Sequence, residues 1–345
     1  VAHAGAEIEL ALDRGEIRAG GRAEFLREAE LELVSGDPAA LFDLARALFP
    51  SGGLVFSTLN KAARARRLAE GSSVFEDPGP RTARAVRFEP GTPAESAARD
   101  VLAECLAQVA ANVAVVRSSD DPEGPHQLRV GLRRLRTAFG LFRDPLSGPA
   151  LDRLSDEARW LGQEVGRLRD LDVARIDLAD PLAGATPWEP GFAALSAALA
   201  EAAAAERIAL RETLEGARVH AFLLDLAEFV ALRGWLDPAD HEQTARLAEP
   251  VEALATRTLD KADARAAKRA RGLRELDIEA RHELRKALKK LRYAIEFMAP
   301  LYPAPEIRAL LKPLKALQRV FGDLNDAAMA EALFLSPAGP GRDDP

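Results

Sequence analysis

One basic segment is written twice in this chain. His126-Gln127-Leu128-Arg129-Val130-Gly131-Leu132-Arg133-Arg134-Leu135-Arg136 returns as His282-Glu283-Leu284-Arg285-Lys286-Ala287-Leu288-Lys289-Lys290-Leu291-Arg292. The copies lie 156 positions apart (126 to 282), and every His, Leu and cationic position of the first recurs in the second. At about 100° of turn per residue, Arg129, Arg133 and Arg136 fall within about 80° of His126, with Arg134 about 80° to its other side. Leu128, Leu132, Leu135, Phe139 and Phe142 form the opposite stripe. In the second copy His282, Arg285, Lys286, Lys289, Lys290 and Arg292 share one face, and Leu284, Leu288, Leu291, Ile295 and Met298 the other.

A solvated face normally mixes signs, because acid–base pairs three or four residues apart stabilise a helix. Here His126 to Arg143 holds five Arg and no acid, and Arg281 to Arg292 holds six Lys or Arg and one Glu. Like charges so spaced repel, and a doubled repulsion points to an anion that offsets it. A neutral imidazole can donate to a phosphate oxygen, and a nearby anion favours its charged form. Metal binding fits less well, since neither His has a His, Cys or acid three or four residues on. Of the five histidines, only His126 and His282 are related by the offset.

The repeat continues. Leu161–Asp170 aligns with Leu317–Asp326, and Arg159 with Lys315, so a second helix in each half is expected to add a cation. Asp170 and Asp326 read as structural partners that hold basic side chains, because acids inside an anion site oppose binding. Helices are expected near 94–118, 123–143, 150–179 and 191–215, then near 218–234, 238–271, 278–299 and 304–334. They make two pseudo-symmetric four-helix bundles in a mainly α protein, an arrangement that can bring both basic helices to one central groove.

The residues before this differ. Ala6–Leu12 and Glu16–Arg18 read as strands around a turn at Asp13-Arg14-Gly15, and Glu24–Val34 alternates with Glu28, Glu30 and Glu32 on one side. A helix follows Pro38, and Leu54–Thr58 is a further strand candidate. The expected division is residues 1–72, a linker at 73–93 rich in Pro and Gly, the helical domain at 94–335, and a disordered tail at 336–345. The chain opens on Val1 and directly on strand-like sequence, the pattern of a piece of a longer protein.

With 345 residues and 48% hydrophobic content, two domains with proper cores are possible. The net charge of −7 does not advertise nucleic acid, and the basic residues are concentrated locally. Aromatics make up only 6%, and Tyr293 alone interleaves with the basic faces, which weakens a base-stacking nucleic-acid binder. Cys105 sits at helical spacing among Leu102, Leu106, Val109 and Val113 and reads as core. No signal peptide and no long apolar run stand out, so the expected compartment is the cytoplasm, with no membrane partner.

Residues 94–335 resemble a CHAD domain, on His-x-x-Arg-x-x-x-Arg-Arg-x-Arg at 126–136, its partner at 282–292, and Leu-Arg-Asp-Leu-Asp at 168–172. The resemblance implies two four-helix bundles whose basic helices line a channel for inorganic polyphosphate, with no catalysis and no cofactor, and an association with polyphosphate granules. It carries over to His126, Arg129, Arg133, Arg134, Arg136, His282, Arg285, Lys289, Lys290 and Arg292. Lys286, Arg159 and Lys315 join them from the charge pattern.

Residues 7–70 resemble the later part of a CYTH domain, the triphosphate tunnel fold, on Glu7–Asp13, Glu28–Gly36 and Ser57-x-x-x-Lys61. That implies a partial α+β barrel and, in an intact domain, a divalent metal such as Mg or Mn at Glu28, Glu30 and Glu32. The family's opening Glu-x-Glu-x-Lys strand is absent from this sequence. Hydrolysis of inorganic triphosphate is therefore expected of a full-length parent, not of this chain. Nucleotide or nucleic-acid binding on the basic faces, and a purely structural protein, are the remaining alternatives.

Overall fold

The computed structural model describes residues 1–52, 54–55, 60–71 and 79–334, with side chains of the last helix described up to Arg319 and at Val320–Gly322 and Leu324. The protein is mainly helical, with a small three-stranded sheet at its N-terminus. β1 (Ala2–His3), β2 (Ala6–Ala19) and β3 (Arg22–Ser35) pair antiparallel in that order. No turn falls at Asp13-Arg14-Gly15. β2 runs straight through it, pairing Arg14 with Arg27 and Gly15 with Leu26. The chain reverses instead at Gly20-Gly21, where φ is 59° and 75°. A two-residue hairpin of this kind needs positive φ at both positions, which glycine adopts freely.

α1 (Ala39–Leu48) packs Ala40 and Leu44 on Ala6 and Ile8. α2 (Lys61–Ala69) starts where the Asn60 side chain accepts from the Ala63 amide at 2.8 Å. Of the strand expected over 54–58, Leu54 and Val55 lie outside any strand and the rest falls outside the described residues. So do the tail from 335 onward and the linker from 72 to 78. From Gly79 the linker region lies along the first long helix. There the Arg81 amide donates to Asn112 Oδ1 at 3.0 Å, and Phe88 is buried.

The helical part comprises α3 (Ala94–Ser118), α4 (Glu123–Leu141), α5 (Arg143–Leu146), α6 (Pro149–Val173), α7 (Asp180–Ala185), α8 (Pro190–Glu215), α9 (Ala217–Ala231), α10 (His241–Ala248), α11 (Val251–Arg269), α12 (Ile278–Met298) and α13 (Ala304–Phe334). A π-helical turn, Ala174–Ala179, joins α6 to α7. The single helix expected over 238–271 is two. Pro250 cannot donate to the helical ladder, and the flanking groups bond elsewhere: Ala94 N–H donates to Glu249 O at 2.8 Å and Val251 N–H to Thr92 O at 2.9 Å.

The apolar interior does not divide into two equal sets of four helices. A large core joins α3, α4, α6, α8 and α9 through residues such as Leu102, Leu135, Leu161, Leu210 and Phe222. Tyr293, Phe297 and Met298 from the end of α12 enter the same core. A smaller core gathers Leu284, Leu288 and Leu291 of α12 with Ala266 of α11 and Phe321 of α13. α9 joins the first group because Phe222, Leu223, Leu226 and Phe229 form one apolar stripe about 120° wide, and α9 packs against α3, α6 and α8. α3 is long and apolar enough to cross a membrane by composition, but Val101, Leu102 and Cys105 lie fully buried at the centre of the larger core. Burial pushes the Cys105 thiol up to about 12, which leaves it inert.

Candidate anion-binding site

α4 and α12 carry the two basic copies, and the structure packs these helices against each other. Their contact is fixed by Arg134, whose Nη1 donates to Glu296 Oε2 at 3.0 Å. The Arg134 guanidinium also lies over the rings of Phe297 at 4.5 Å and Tyr293 at 5.7 Å. Gly131 lets α4 approach α3, since a Cβ there would stand 3.2 Å from Val109 Cγ2.

With the helices so placed, the Lys289 ammonium of α12 is half-buried beside Arg133 and Arg129 of α4 and Arg285 and Arg292 of its own helix. Burial first, then these four guanidiniums, pull Lys289 down to about 6. The cluster widens along both helices. Burial and Arg265, Arg136 and Arg269 lower Lys290. Burial and Arg159 and Arg133 lower Arg136. Burial and Arg169, Arg133 and Arg129 outweigh Glu123 and lower His126.

Acids frame the cluster. Arg129 Nη1 donates to Asp170 Oδ1 at 2.6 Å, and its guanidinium lies 3.6 Å from where a Gly166 Cβ would stand. Lys286 pairs with Glu283 at 2.8 Å, and Arg269 approaches the same carboxylate at 3.4 Å. Arg292 stacks over Tyr293 at 4.7 Å and lies 3.6 Å from Glu296, which Lys315 also approaches at 3.9 Å. Arg159 is exposed and pairs with Asp156 at 3.4 Å. His282 is half-buried one turn before Arg285. The Asp326 side chain lies outside the described residues.

The structure therefore brings together His126, Arg129, Arg133, Arg136, Arg285, Lys289, Lys290 and Arg292. It turns Arg134 inward as a pin between helices. Arg169, Arg265 and Arg269 join from α6 and α11. Arg169 stood inside the Leu168-Arg169-Asp170 repeat, whereas no pattern in α11 marks Arg265 and Arg269.

At the N-terminus, Asp13, Glu28 and Glu30 offer oxygens within a metal-sized space. Lys61 Nζ stands among them at 2.6 Å from Asp13, 3.1 Å from Glu28 and 3.2 Å from Glu30. Arg64 adds a second cation at 2.5 Å from Glu28. Burial pushes the Glu28 carboxyl up, but Lys61 and Arg64 outweigh it and hold it below its usual range. Lys61 is raised by the same three acids. Glu32 faces Glu9 across the ribbon, outside this group. Lys61 and Arg64 offset two of the three carboxylate charges, and the Lys61 ammonium stands between oxygens that a divalent metal would otherwise draw together.

Fold and cluster together define a mainly helical protein with a dense cationic surface where two repeated helices meet. The family model of the CHAD domain matches residues 100–335. The crystal structure of the CHAD domain from the plant Ricinus communis superposes with a TM-score of 0.64 and 31% identity, over 74% of this chain and 83% of that one. The chain belongs to the CHAD family, which is associated in general with polyphosphate binding.

Proposed function

We propose that this chain binds inorganic polyphosphate along the groove where α4 and α12 meet, without catalysing its breakdown. The observation that supports this most is Lys289. Its ammonium is pulled down to about 6, first by burial and then by the guanidiniums of Arg133, Arg285, Arg129 and Arg292. A fold that holds like charges together, from helices 156 residues apart in sequence, stores repulsion that a polyanion relieves. Guanidinium forks suit the paired oxygens of phosphoryl groups, and a long chain spans many cations at once.

Nucleic acid fits less well. Tyr293 and Phe297 lie beneath guanidiniums in the core and offer no face for a base. The N-terminal ribbon, with Asp13, Glu28, Glu30 and Lys61 on one face, we read as part of a triphosphate-tunnel barrel. Its Lys61-filled carboxylates favour no hydrolytic reading of this chain. The test is titration of the protein with long-chain polyphosphate at two salt concentrations, beside the Arg133→Glu, Lys289→Glu double variant. Binding lost in the double variant supports the groove, and wild-type binding by it overturns the assignment.

A further inference from the structure

A second group of charged side chains lies past the end of α6. A cleft of 360 Å³ opens between the π-helical turn and α8, lined by Asp172, Arg175, Ala204, Arg207, Arg211 and Asp120 among others. Asp172 is fully buried. Its Oδ2 is 3.5 Å from Arg207 Nη2, long for a charged pair, and its Oδ1 has no hydrogen-bond partner among the described residues. Arg207 is 8% exposed, and among the described residues its Nη1 also lacks a partner, as does the buried Nε of Arg175. Arg211, by contrast, is engaged through Nε and Nη2. It donates to Val116 O at 2.9 Å, Ser119 O at 2.8 Å and Asp120 Oδ1 at 2.7 Å.

Three residues of one cleft thus each carry a buried polar atom without a hydrogen-bond partner, and each such lost hydrogen bond destabilises the fold. π-helical turns recur where a chain shapes a functional site. The orphans also specify what would satisfy them. Two guanidiniums require acceptor oxygens. A buried carboxyl beside them requires a partner with which it shares one proton, since a fully ionised anion would meet it charge to charge. Burial pushes the Asp172 carboxyl up against the pull of Arg207, Arg169 and Arg175. A phosphoryl group with one ionisable hydroxyl supplies both needs. Sulfate has the oxygens but no proton near neutrality, and the internal phosphoryls of a chain lack it as well.

We propose that this cleft is a site for a hydrogen phosphate group, with Arg207 and Arg175 donating to its oxygens and Asp172 sharing its proton. The group is either free inorganic phosphate or the terminal phosphoryl of a linear chain. Asp172, Arg175 and Arg207 lie outside the α4–α12 groove, so variants of the cleft test this site without altering the groove's own cations.

The experiment is calorimetric titration of the full chain with inorganic phosphate and with sulfate, beside two variants. Ala204→Phe fills the cleft from an exposed position and leaves every charge in place. Arg175→Gln removes one donor. Phosphate is expected to bind at least tenfold tighter than sulfate, with that binding lost in Ala204→Phe and weakened in Arg175→Gln. Equal binding of the two anions, no phosphate binding, or unchanged affinity in folded Ala204→Phe overturns the proposal. Linear tripolyphosphate against cyclic trimetaphosphate, which has no chain end, then separates the sources. An Ala204→Phe-sensitive preference for the linear form identifies a chain terminus, and phosphate binding without that preference identifies free phosphate.

Discussion

Lys289 makes anion binding a proton-coupled event. In the free protein its ammonium gives up its proton at about 6, so at pH 8 only about one molecule in a hundred carries that charge. A bound polyanion restores the charged form, as any close opposite charge does. Binding at pH 8 should therefore take up close to one proton through Lys289. By linkage, affinity should fall about tenfold, or about 1.4 kcal/mol, for each pH unit above 6. The direction is fixed: the complex holds more protons than the free protein, so acid favours binding. Internal phosphoryls carry no proton in this range and do not mask the effect. The assay is calorimetry at pH 8 in two buffers of different ionisation enthalpy, whose slope counts protons. Lys289→Arg keeps the charge but cannot release it. It should bind with no such uptake and a flatter pH profile. Undiminished proton uptake by Lys289→Arg would refute the reasoning.

Three further outcomes follow from the same geometry. The Arg133→Glu, Lys289→Glu double variant should lose about a hundredfold or more in polyphosphate affinity, read by titration, with its helical circular dichroism unchanged. With about six cations neutralised, affinity should drop roughly a few hundredfold between 50 and 200 mM salt, and a salt-independent isotherm would contradict a charge-driven contact. Arg134→Leu should destabilise the fold by about 3 kcal/mol, the low end for breaking a buried pair, because Arg292 and Lys315 still flank Glu296. Its lower thermal midpoint should come with little change in affinity for the protein that stays folded.

Much of the helical layout was legible because its boundaries are written in local chemistry. Asp277 caps α12 by accepting from the Ala280 amide at 2.7 Å, and Pro149 and Pro190 open α6 and α8. The repeat marked which faces were cationic. It did not show which neighbours would cover them. On a helical wheel Arg134 looks like Arg133. Only the packing of α12 on that side turns it onto Phe297 and Glu296. Arg265 and Arg269 join the cluster because α11 lies beside α12, a tertiary fact with no period of its own. The neutral state of Lys289 is likewise a property of two helices together. The Gly20-Gly21 turn was a stronger signal than Asp13-Arg14-Gly15, and the longer run of pairing settled it.

The entry of Tyr293, Phe297 and Met298 into the larger core bears on how the chain is made. Those side chains leave the ribosome more than 150 residues after α4 (Glu123–Leu141) does. Until they arrive, the surface of α4 that will hold them stays open to water, and Arg134 has neither its carboxylate nor its aromatic cover. That part of the larger core is therefore completed only by a contact of long sequence separation, the kind that slows folding.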